Sequence, residues 1–189
     1  MERKRLDYGS GTERKPKGQK GKEKHNMILD SDIEIKQKAG AAALQSWLSE
    51  RARKEADAIA RDLWSYYYQT RNRKPKLIEY PPTVVACAQN NENYYIGKTE
   101  HHVMKRYINR DLLERLENRL GKYGDTSRHE IKFAIGHCAE PQAANELLKK
   151  EWVKDLDDIY FGDAYRPRTG VVIPPCGNCR ETFNNVKKW

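Results

Sequence analysis

The chain has four cysteines in 189 residues, and three of them stand among groups that could do chemistry together. "GHCAEPQA" (136–143) sets His137, Cys138 and Glu140 within four positions, and "IPPCGNCRE" (173–181) adds Cys176 and Cys179 as a C-x-x-C. That spacing suits a metal better than a structural cross-link, so reduced thiols are expected. Zinc takes four ligands in a tetrahedron, and a catalytic zinc leaves one position to water, so Cys138, Cys176 and Cys179 would supply three. Two other donor sets stay open. Cys87 as a fourth sulfur would close a purely structural centre, and His137 could stand in for Cys138.

For these residues to converge, each motif must sit at the start of a helix. A C-x-x-C there points both sulfurs at one spot beyond the helix end, where unpaired N–H groups and the helix dipole favour thiolate. Glu140, two residues after Cys138, would face away from it in mid-helix, whereas off an N-terminus both side chains reach one point. Pro141 fits a first turn, where its missing N–H loses no partner. It also pushes the residue before it off helical angles, which places Glu140 outside the helix proper.

The elements that carry these motifs follow from periodicity and breakers. Residues 1–29 read as a flexible basic arm without periodic apolar positions. Residues 30–76 read as a helical segment, with Leu44, Leu48, Ala52, Ala56, Ile59, Leu63 and Tyr67 recurring every three or four positions. The core is expected over 77–189. "TVVACAQ" (83–89) and "NYYIGKTE" (93–100) read as two strands joined by a tight "NNE" turn. Residues 101–120 have helical spacing ended by Gly121, 131–137 read as an extended lead, and a further helix is expected from about Pro141 to Val153. On that helix Ala144, Leu147, Leu148 and Trp152 would share one face. "LDDIYFGDAY" (156–165) reads as one strand, and "GVVIPP" (170–175) as a short extended piece.

The remaining candidates have plainer readings. Cys87, alternating within a strand, reads first as a buried small apolar residue. His25, His101, His102 and His129 lie on polar segments. "WSYYYQT" (64–70), "NYYIG" (93–97), Tyr160 and Phe161 read first as half-buried core and second as faces for stacking bases.

Composition bounds the rest. A formal charge of +9 favours polyanionic partners such as nucleic acid or nucleotides. No apolar run approaches the ~20 residues of a membrane helix, and the first thirty residues lack a secretory signal's apolar stretch, so the chain reads as soluble with no membrane partner.

Cys138-Ala139-Glu140 followed by Pro175-Cys176-Gly177-Asn178-Cys179-Arg180 resembles the [His/Cys]-x-Glu … Pro-Cys-x-x-Cys signature of the zinc-dependent cytidine deaminase superfamily. The "CAE" and "PCGxCR" forms are most similar to the free-nucleoside enzymes. The basic chain and long preceding helix are more similar to the deaminase domains at the C-terminal ends of bacterial polymorphic toxins. The resemblance spans about residues 82–185. It implies an α/β fold with a three-layer α/β/α core that starts on a β-hairpin. It implies Zn²⁺ held by Cys138, Cys176 and Cys179, Glu140 as proton shuttle, and the backbone N–H of Ala139 as donor to a substrate carbonyl. The reaction implied is hydrolytic deamination at C4 of cytosine, in single-stranded DNA or RNA first, otherwise in a free nucleoside or nucleotide. Adenine in RNA is the nearest enzymatic alternative, and a non-enzymatic zinc-stabilised nucleic-acid-binding module is the competing class. The toxin likeness adds an immunity protein as partner and a secreted effector working in a target cell's cytoplasm. The family's ribose-binding Asn-x-Glu pair has its nearest counterpart in Asn91-Glu92, which falls in the expected turn. With only "RETFNNVKKW" after the second motif, a smaller sheet is expected.

Overall fold

The run "TVVACAQ" becomes β1 (Val84–Ala88), a strand in which every residue is buried, because it is covered on both faces. The structure is a computed structural model that describes residues 19–70, 80–100 and 104–186, with side chains from residue 39 onward. The chain falls into two compact units, Met1–Ala39 and Gly40–Trp189. Helix α1 (Gln19–Gln69) starts ten residues before the end of the stretch read as an arm, and residues 1–18 lie outside the described ones.

In the second unit β1 pairs antiparallel with β2 (Tyr94–Lys98), placing Cys87 opposite Tyr95 and Val84 opposite Lys98. The expected hairpin therefore forms, with an exposed connection in which Glu92 donates its N–H to Asn90 Oδ1. The sheet order is β2-β1-β4-β5, all antiparallel, where β4 is Ala164–Tyr165 and β5 is Val172–Ile173. A two-residue β3 (Tyr160–Phe161) also pairs with β1. "LDDIYFGDAY" is thus not one strand. Leu156–Asp158 is a 3₁₀ turn capped by the Asp155 side chain, and the strand breaks at Gly162 and Asp163. There the Gly162 N–H still donates to Ala86 O, but the Asp163 N–H is drawn to Ser49 Oγ of α1 at 2.7 Å.

Alternation along β1 divides the core in two. Ala86 and Ala88 pack with Leu44, Leu48 and Ala52 of α1, whereas Val85 and Cys87 pack with the helices on the other face. The result is three layers. The fourfold spacing Leu44, Leu48, Ala52, Ala56 is the buried stripe of α1, and Ile59, Leu63 and Tyr67 are half-buried. Trp64, Tyr66 and Tyr68 are exposed, against the reading of this stretch as half-buried core.

Three helices form the opposite layer. α2 (Arg110–Leu120) starts later than the apolar spacing predicts, because Asn109 caps it by accepting from the Asp111 and Leu112 amides. Lys105–Tyr107 is a separate 3₁₀ turn, Gly121 ends α2 as expected, and 101–103 lie outside the described residues. α3 (Ala139–Lys149) begins two residues before Pro141 and ends four residues before Val153. Glu151 adopts a left-handed φ of 55°, with its N–H on Leu148 O and that of Trp152 on Leu147 O, the Schellman arrangement that stops a helix. Trp152 is consequently off the apolar face and exposed, under Lys150 at 4.7 Å, while Ala144, Leu147 and Leu148 are buried as expected. α4 (Gly177–Thr182) follows the second motif. Residues 131–137 form no strand. They run as a loop whose Ile135 N–H donates to Asp125 O at 2.8 Å.

Candidate metal centre

Both motifs sit at helix starts. Cys138 is the N-cap of α3 and Cys176 the N-cap of α4, each extended (ψ 163° and 168°), and Cys179 lies in the first turn of α4. Neither N-cap cysteine caps its helix with a side-chain hydrogen bond, so the sulfurs are turned elsewhere. They meet one another. The three Sγ atoms lie within 4.8 Å of each other, with Cys138 to Cys176 at 3.2 Å and Cys176 to Cys179 at 3.5 Å, and all are free thiols. Tetrahedral bonds of ~2.3 Å separate sulfurs by about 3.8 Å, so three ligands of one zinc ion fit this cluster after small side-chain adjustments.

The thiols do not share their protons evenly. Hydrogen bonding with Cys138, and then with Cys179, lowers Cys176 well below the ordinary thiol range and favours its thiolate. Cys138 is pushed up, first by its bond with Cys176, and Cys179 is pushed up first by burial. A divalent ion would release the protons that the thiols hold. With three thiolates the loaded centre carries a formal −1.

Glu140 is buried in the first turn of α3, inside the helix and not before it. Pro141 is tolerated in the first turn because its ring meets no earlier carbonyl of the helix there and its missing N–H loses no partner, so its local restraint on Glu140 does not keep that residue out of the helix. Burial, and secondarily the Cys176 charge, raise Glu140 from 4.5 to about 7, a value suited to taking and returning a proton near neutrality. Its carboxylate is not in the sulfur cluster. Ala139 is the first residue of α3, where an amide has no acceptor within the helix. Cys138, Ala139, Glu140 and Cys176 together line a cavity of about 40 Å³, with Thr99 and Phe133 among its other walls.

The five residues expected at the site are therefore neighbours, and the alternative donors stay apart. Cys87 is fully buried in the core beside β2 and β3, close enough to Glu140 for that charge to help raise its thiol, but outside the sulfur cluster. His137 is also outside it, with its ring 5.7 Å from Tyr123. His129 is half-buried and lies 3.7 Å from Glu181. Phe161 packs on Phe183 at 4.8 Å, and Tyr160 is half-buried. His25, His101 and His102 carry no described side chain.

Three residues that matter here were not singled out by type or spacing. Gly97 lets α3 press on β2, since a Cβ there would sit 2.6 Å from the Ala143 amide nitrogen, and a lone glycine inside a strand pattern is the signal that could have shown it. Asn178 and Phe133 had no comparable signal.

Compared with known proteins, the chain matches no family model, and no curated protein or solved structure is significantly similar to it. Among the described residues no helix is long and apolar enough to cross a membrane.

Proposed function

We propose that this chain is a zinc-dependent hydrolytic deaminase that converts cytosine to uracil, with single-stranded nucleic acid as the first substrate. The observation that carries the reading is Glu140. It is a buried acid next to three convergent thiols yet outside their cluster, which a closed structural centre would not need. The antiparallel sheet packed against helices and its hairpin start support the deaminase likeness, and the Ala139 amide stands at the helix tip where a substrate carbonyl would meet it.

Zinc, when held by Cys138, Cys176 and Cys179, would lower the pKa of a water toward neutrality. Glu140 takes a proton from the attacking water, hands it to ring N3, and later serves the departing amino group. The water oxygen ends as the C4 carbonyl, and the nitrogen leaves as ammonia. The Ala139 N–H orients the ring through its existing carbonyl. The charge of +9 and the exposed Trp64, Tyr66 and Tyr68 support a polyanionic substrate with stacking bases.

The test compares wild type with Glu140→Ala on a single strand containing cytosine and, separately, one containing adenine. Product from cytosine only in wild type, with about one zinc per chain in both proteins, is the expected result, and the loss should be at least ~10²-fold. Product from adenine alone would move the assignment to the adenine reaction. No product from either strand by the zinc-loaded wild type refutes the reading. The toxin role predicts that cells tolerate Glu140→Ala but not wild type, and equal tolerance refutes it.

A further inference from the structure

Gly177 and Asn178 stand between the two thiols of the second motif, and both meet the same loop. Asn178 is buried, and its amide spans residues 127–133: Nδ2 donates to Phe133 O at 3.2 Å, and Oδ1 accepts from Ser127 Oγ. Ser127 Oγ in turn accepts from the His129 and Glu130 amides at 3.1 and 3.3 Å. A Cβ on Gly177 would come within 2.7 Å of the His129 carbonyl carbon, so the loop lies directly on the start of α4. Beyond Phe133, Ile135 is fully buried and exchanges backbone bonds with Gly124 and Asp125. The backbone of Phe133 is thus pinned on both flanks.

Its ring is not. Phe133 is 41% exposed, an apolar face left open beside the cavity that Cys138, Ala139 and Glu140 line. That cavity, at about 40 Å³, has room for about one water and none for a six-membered ring. Glu140 also borders a second, smaller cavity beside Phe161 and Asp163, but only the one with Phe133 in its wall adjoins Cys138 and Cys176, so a planar substrate that reaches Glu140 from the sulfur side also occupies the open space against Phe133.

We propose that Phe133 is the face on which a planar nitrogen heterocycle stacks to enter the metal cavity, and that Asn178 is the positioning residue that fixes this face. The identity of the ring rests on the deaminase reading, and the clamp does not. The segment that presents two thiols to the metal thereby also sets the mouth through which the substrate comes.

The experiment uses the zinc-loaded full chain carrying Glu140→Gln, which binds without turnover. Fluorescence anisotropy gives the Kd for a labelled deoxycytidine strand of about ten nucleotides and for an abasic strand of equal length. Phe133→Leu should weaken binding of the base-bearing strand about tenfold and leave the abasic strand unchanged. Asn178→Ala should do the same while retaining about one zinc per chain. The double variant should be no weaker than Phe133→Leu alone, since both changes remove one face. Asn178→Asp keeps an acceptor for Ser127 and loses only the Phe133 bond, so it should reproduce the loss if Asn178→Ala does not fold. An unchanged Kd in Phe133→Leu, an equal loss on the abasic strand, additive losses in the double variant, or zinc loss from both Asn178 variants would each overturn the proposal. Turnover by wild type on the same strand is scored separately. Stacking without product removes the deaminase reading and leaves the binding face standing.

Discussion

Replacing Gly97 by alanine should disturb the metal centre without touching a ligand. The new Cβ would lie 2.6 Å from the Ala143 nitrogen and 2.8 Å from the Ala143 Cβ, and closer still to the Ala139 carbonyl oxygen. These are mostly backbone atoms of α3, which cannot swing aside as the end of a long side chain can. Ordinary contact begins at 3.4 Å, so α3 must withdraw from β2 by at least 0.8 Å (3.4 − 2.6). Cys138, Ala139 and Glu140 lie at the end of α3 that moves. Zinc bonds tolerate about 0.2 Å, so the third sulfur is pulled out of range, and overpacking of this kind costs about 1–3 kcal/mol. Urea unfolding with zinc present should show that loss, and elemental analysis should show well under one zinc per chain. Gly40→Ala is the matched control, because α1 leaves open space around that position, and alanine there should be neutral or stabilising by up to ~1 kcal/mol. A Gly97→Ala protein with the wild-type urea midpoint and full zinc would refute the claim that β2 sets the position of α3.

In the metal-free protein Glu140→Gln should remove a pH dependence. Glu140 rises from 4.5 unfolded to about 7 folded, so the folded state holds the extra proton between those values. Wild-type stability relative to the variant is then greatest below pH 4.5 and falls by about 3 kcal/mol as pH rises through 7, and equal urea midpoint differences at pH 4.5 and 8 would contradict this. Cys87→Ser should keep about one zinc per chain while losing stability through a polar atom in the core, whereas Cys176→Ser should lose the metal, and zinc loss from Cys87→Ser would restore the closed four-sulfur centre. Asn109→Ala should cost about 1 kcal/mol in urea unfolding by uncapping α2, with Asn109→Asp close to wild type; equal loss in both would mean that the cap is not the stabilising element.

Short-range chemistry was legible in the sequence. The cysteine spacings, Glu140 and Pro141 located two helix starts, because what makes a helix tip attract thiolate is local to a few residues. The β1–β2 hairpin and the fourfold stripe of α1 were legible for the same reason, since strand alternation and helical periodicity are written residue by residue. What required the tertiary structure were the long-range terms. The break at Gly162 and Asp163 exists because Ser49, more than a hundred positions earlier, captures an amide. The late start of α2 and the early stop of α3 come from one capping side chain and one left-handed residue that override apolar spacing. The convergence of Cys138 with Cys176 and Cys179, the exclusion of Cys87 and His137, and the role of Asn178 on the Phe133 loop depend on which helix tips the sheet brings face to face. No local pattern encodes that distance, because it is set by how closely α3 can approach β2.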